Sequence, residues 1–255
     1  DADAGVPYMR TPEYCGRQLD FERVNIGFED GLGISGAELE GMLVAGNTFD
    51  YPHLHGKALL ANGYSYVSCS SEAVMCGDVN LSAYDAADFI IGAEKQGSKG
   101  STLGYNRPYK SFPEELQRKI AEYCEAGGRI FVSGAYMASD MCGSDNDRAF
   151  INNVLKFDFG GCMSDISEDK IFGSNLTVAV NRGVSEHCYA VARPDILAPV
   201  GNSFVAFVYD KSRESAGVAY VDNYRVLATG FPFETILDDN IRAELMGAVM
   251  RFLLN

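Results

Sequence analysis

Apolar positions along the chain recur at helical and strand spacings, and they mark out a series of elements. Leu116, Ile120 and Cys124 return every fourth residue and predict an amphipathic helix over 113–126. Ser111 is placed to cap it, Pro113 suits its first turn, and Glu114 and Glu115 favour its positive end. Gly127-Gly128 closes that helix, and Arg129-Ile-Phe-Val-Ser133 follows as a strand of the buried type. Asp88-Phe-Ile-Ile-Gly92 is a second short apolar strand, and Tyr64-Ser-Tyr-Val-Ser-Cys69 a third. Further strands are expected at Phe204–Tyr209, Ala216–Tyr220 and Tyr224–Thr229, the last two joined at Asp222-Asn223. Helices are expected over 53–62, stopped by Gly63, over a short stretch capped by Ser71, and over 145–157. A last helix starts at Asp238-Asp239 and keeps Ile241, Leu245, Val249, Phe252 and Leu253 on one face. Residues 1–52 are an irregular lead-in, and residues 160–200 show turn signals without a long helix.

Strands alternating with helices, then a late hairpin, predict one α/β domain over 1–255 with a mainly parallel sheet and an antiparallel extension. Composition supports a sizeable core, since 47% of the 255 residues are apolar. No run of about 18 apolar residues exists, so no membrane span is expected. The chain starts at Asp1 without a leader and reads as a mature or trimmed product. With 35 acidic against 21 basic residues the net charge is −14, which argues against nucleic acid as a partner. The seven cysteines include no Cys-x-x-Cys pair, so no zinc knuckle or thioredoxin-type site is indicated. No cofactor is called for.

The stretch from Gly127 to Asp140 is the most informative. In a parallel sheet the chain turns over the carboxyl edge there, where ligands and catalytic groups gather. Many hydrolases carry their nucleophile on such a strand-to-helix turn. Here it reads Ser133-Gly134-Ala135-Tyr136, with no nucleophile at the tip.

Several phrases carry a family resemblance: Ala45-Gly-Asn-Thr-Phe-Asp-Tyr-Pro52, His55-Gly56, Ser68-Cys-Ser70, the Gly127–Asp140 stretch and Gly230-Phe-Pro-Phe-Glu-Thr235. Together they resemble a class I glutamine amidotransferase-like domain of secreted bacterial proteins labelled xanthan lyases, which also carry a golvesin-type module. The resemblance implies a flavodoxin-like layered sheet with helices on both faces and a secreted, periplasmic or cell-surface location. It also implies a polysaccharide or cell-wall glycan as partner, beside neighbouring modules of a larger chain. Such domains open with an apolar strand followed by Phe-Asp-Arg, and this chain begins after that point, so a first strand is expected to be missing. Working glutaminases place a Cys at the elbow; the matching position here is Gly134 or Ala135, so that reaction is not expected.

Other chemistry can be weighed residue by residue. Ser133 with His187 would make a serine hydrolase if the amides of Gly134 and Ala135 formed an oxyanion hole. Glu94 and Gln96 follow one strand and Glu234 another, so Glu94 and Glu234 are candidates for a carboxylate pair acting on a glycan. Glu234 is the stronger, because the aromatics of Phe-Pro-Phe-Glu desolvate it. Tyr136, Tyr105 and Tyr109 are candidates for stacking on sugar rings. Asp50, His53 and His55 have a His-x-His spacing, but on a helix the two imidazoles diverge, and no metal site is assigned. Asp140, Asp145, Asn146 and Asp147 are rich in oxygen ligands without EF-hand spacing; Asp145 reads as a helix cap and Asp140 as a ligand contact. Three functions follow: an enzyme on polysaccharide, a non-catalytic binding or scaffold domain, and an esterase.

Overall fold

The computed structural model describes residues 51–94, 110–163, 169–181, 191 and 193–255. The expectations for most of the lead-in, for Gln96, Tyr105 and Tyr109, and for His187 fall outside the described residues.

Strand β2 (Arg129–Gly134) is where the two cores meet. Its residues alternate across the sheet. Ile130 and Val132 pack into a core with Leu116, Ile120 and Cys124 of α3 (Glu114–Glu125) and with Met137 and Met141 of α4 (Met137–Met141). Phe131 points the other way, among Leu245, Met246 and Val249 of α6 (Asp239–Leu254) and Ala58 of α1 (Tyr51–Ala61). The period-four stripe read from the sequence is therefore the buried face of α3. Burial pushes the Cys124 thiol up to about 12, so it packs as a small apolar group. Cys69, Cys76 and Cys142 are also free thiols.

The sheet itself corrects the expected fold. It has seven strands in the order β1-β2-β9-β8-β7-β4-β5. Only β1 (Ala87–Gly92) with β2, and β2 with β9 (Arg225–Thr229), are parallel. The pairs of β9 with β8 (Ser215–Val221), β8 with β7 (Phe204–Tyr209), β7 with β4 (Lys170–Gly173) and β4 with β5 (Leu176–Ala179) are antiparallel. A second sheet pairs β3 (Phe157–Cys162) with β6 (Asp195–Pro199), also antiparallel. The arrangement is a mixed, mostly antiparallel sheet beside a small second one, not a flavodoxin-like parallel layer. Short reverse connections impose this on the β4–β5, β7–β8 and β8–β9 pairs, because they cannot join parallel strands. The β4–β5 turn is Ser174-Asn175, both at positive φ (+52° and +61°), the geometry of a tight two-residue hairpin. It uses no glycine, so residues 160–200 gave little sign of a hairpin.

Other boundaries moved by local chemistry. Ser70, not Ser71, caps α2 (Ser71–Cys76), and Ser144, not Asp145, caps α5 (Asp145–Phe150). Ser111 does not cap α3; its hydroxyl donates to the Glu94 carbonyl. The helix expected over 145–157 widens after α5 into a π-helical turn at Ile151–Leu155, and Lys156 at φ +67° turns the chain into β3. Residues 64–69, expected as a strand, pair with no strand among the described residues.

Candidate functional site

At the strand-to-helix turn, Gly134 ends β2 and Ala135-Tyr136 lead into α4. A side chain at Gly134 would set its Cβ 2.8 Å from Ile91 Cβ and 2.9 Å from Met137 Cγ. The backbone donors are committed as well. The Ala135 N–H donates to the Gly92 carbonyl at 2.7 Å, while the Ala135 carbonyl accepts the Asp195 N–H at 2.7 Å. Asp195, fully buried, places Oδ2 2.7 Å from the Ser139 N–H in the first turn of α4. A carboxylate of the protein thus sits where an anion would meet a helix start. Ser133 is fully buried, and its Oγ has no hydrogen-bond partner among the described residues. An oxyanion hole needs free donors around a reachable nucleophile, and the Ala135 amide is already spent. Gly134→Cys, which would restore an elbow thiol, is expected to cost about 1–3 kcal/mol by overpacking and to yield no glutaminase activity. Chemical denaturation and an ammonia-release assay check both halves.

The structure brings together two other candidates. His55 lies on the inner face of α1 and is 2% exposed. Its Nδ1 stands 2.7 Å from Asp88 Oδ2 on β1, and its Nε2 3.4 Å from Glu234 Oε2 in the 3-10 turn Phe233–Thr235. Glu234 is fully buried. The imidazole also meets the Phe233 ring at 4.6 Å between centroids, with Phe131 beyond at 6.4 Å. Burial lowers the His55 pKa, but the Asp88 and Glu234 carboxylates together outweigh it and bring it to about 9. At neutral pH the ring is an imidazolium between two acids. It ties α1, β1 and the 3-10 turn together and has no lone pair to act as a base. His53, two residues away, is exposed, so the two imidazoles do diverge.

The remaining candidates are dispersed. Glu94 is half-buried beyond β1, and its carbonyl accepts the Ser111 hydroxyl at 3.0 Å. Asp140 accepts the Ser111 N–H at 2.8 Å and so fastens the start of the α3 segment. Tyr136 is buried in a small cluster with Tyr51, Ala135 and Val191, which leaves no face for a sugar. Sequence reasoning missed Asp88 and Asp195. For Asp88 a signal existed: a carboxylate opening an otherwise apolar strand must find a partner. Asp195 offered none, since the Ser139 N–H on α4 and the Cys162 thiol on β3 that it accepts from lie 56 and 33 residues away.

Beside His55 opens a cavity of about 740 Å³, walled by residues 63–71, the outer side of β1, α1 and the end of α6. His55 and Asp88 are on its wall, whereas Glu234, Ser133 and Ala135 are not. Among the described residues no group of His, Cys, Asp and Glu side chains is arranged to hold a metal ion, and no helix is long and apolar enough to cross a membrane. No family model matches the chain, and no curated protein matches it.

Proposed function

We propose that this chain is a glycan-associated domain of a secreted protein that binds or scaffolds, and that no acyl-transfer chemistry occurs at its strand-to-helix turn. One observation carries the second part: the Ala135 amide is closed by the Gly92 carbonyl, beside a Gly134 position with no room for a nucleophile. The competing enzyme reading needs Glu234 to reach a substrate. That carboxylate is fully buried against His55, which favours an ionic tie over acid–base work on a glycan. The glycan as partner rests on the sequence resemblance, and the acidic net charge of −14 suits neutral or cation-bridged saccharides better than bare polyanions.

A glycan array run beside lyase, esterase and glutaminase panels tests this. Retention of at least one polysaccharide class without turnover is the expected outcome. Turnover that disappears in Glu234→Gln or Ser133→Ala would show that a buried group does reach substrate, and would sink the proposal.

A further inference from the structure

The cavity of about 740 Å³ beside His55 is in the size range of small-molecule sites. Its charges are lopsided. The described residues that line it include Asp85, Asp88 and His55, and no lysine or arginine. His55 does not balance the two acids, because its charge is shared with the Glu234 carboxylate, which is outside the lining. Asp88 is the accessible member of that trio, with its side chain 21% exposed against 3% for His55 and 0% for Glu234. Its Oδ2 is taken by His55, whereas Oδ1 is shut off from water and has no hydrogen-bond partner. An acceptor left in that state costs free energy that an arriving donor recovers. Asp85 is exposed and in no ion pair among the described residues; Arg129 reaches its carbonyl, at 3.4 Å.

The rest of the lining is largely apolar and aromatic. Tyr66, Val67 and Tyr84 belong to it and are 39%, 68% and 43% exposed. Apolar surface gathered around a cavity marks a place of binding. Tyrosine rings also attract cations through the negative face of the π system. We propose that this cavity binds an organic cation, a protonated amine on an apolar or aromatic body, with the ammonium group at Asp88 and the body among the tyrosines. A neutral ligand of the same shape gains the apolar contacts alone. A carboxylate of that shape must approach Asp88 and Asp85 with no lysine or arginine of the described lining to meet it.

A charge series at nearly constant shape tests this on the unaltered chain. Phenethylamine, phenethyl alcohol and hydrocinnamate are titrated near neutral pH and followed by ligand-observed NMR. They are expected to rank in that order, with the amine at least about tenfold tighter than the alcohol, as a hydrogen bond to a charged group provides. Equal binding of amine and alcohol, or no detectable binding of the amine, overturns the proposal. Asp88→Asn is expected to erase the amine's advantage over the alcohol, and an advantage that survives overturns the proposal as well. Should that variant not fold, the unaltered chain still reports the location. Cys69 lines the cavity and Cys76 does not, and both are exposed free thiols. Saturating phenethylamine is expected to slow alkylation of Cys69 by iodoacetamide severalfold while Cys76 keeps its rate. An unchanged rate at Cys69, or equal slowing at both thiols, places the amine elsewhere and overturns the assignment.

Discussion

His55→Ala is expected to destabilise the fold by about 3–5 kcal/mol, the usual cost of removing one partner from a buried ion pair. The imidazolium bridges the Asp88 and Glu234 carboxylates, and all three come from different elements. Without it, two acids face each other across a cavity left by the ring, beside Phe131 and Phe233. The buried carboxylates then lose the cation that they share. Urea denaturation followed by circular dichroism measures the loss. Asp88→Asn is expected to cost less, because Asp88 is 21% exposed at its side chain and an amide oxygen can still accept from Nδ1. If His55→Ala falls within about 0.5 kcal/mol of the parent, as harmless surface changes do, the ionic tie contributes nothing.

Alkaline pH is expected to remove much the same stabilisation without any mutation. The His55 pKa rises on folding from 6.5 to about 9, so the folded state holds the proton more tightly than the unfolded chain. The contribution is therefore fully present below pH 6.5, declines as pH rises, and is gone above about pH 9. At about 1.4 kcal/mol per unit, the whole effect is on the order of 3 kcal/mol. Other groups titrate in the same range, so the informative quantity is the difference between the parent and His55→Gln. That difference is expected to shrink steadily between pH 6.5 and 9. A difference that is constant with pH would mean the ring is neutral in the folded protein.

The proposed function depends on these results only in part. A stabilising imidazolium gives the buried Glu234 a structural partner. The closed turn at Ala135 is a separate matter, fixed by backbone hydrogen bonds that no side-chain titration alters.

Much of the local structure was legible in the chain. The stripe of Leu116, Ile120 and Cys124, the apolar strand at 129–133 and the cap at Asp238 all follow from periodicity and end chemistry, which act within a few residues. His55 and Glu234 were each singled out, one by its His-x-His spacing and the other by its aromatic frame. Their meeting was not legible, because 179 residues separate them. The late hairpin of β8 and β9 was expected, but the antiparallel strands β3 to β6 were missed for a related reason. Strands β3 to β6 are four to six residues long, all but β5 carry glycines or charges, and β4 turns into β5 on Ser174-Asn175 without a glycine.

The sequence by itself determined that no cysteine stands at the elbow, and that the chemistry there lacks its usual nucleophile. That is a matter of residue identity, which needs no coordinates. Only the tertiary structure decided that the turn is also closed, with the Ala135 amide bonded to Gly92 and the start of α4 facing the Asp195 carboxylate. Only it decided that His55 is a cation held between two acids. Strand direction, backbone donors and the pKa of a buried ring depend on groups far apart in the chain, and those are brought within hydrogen-bond distance by packing alone.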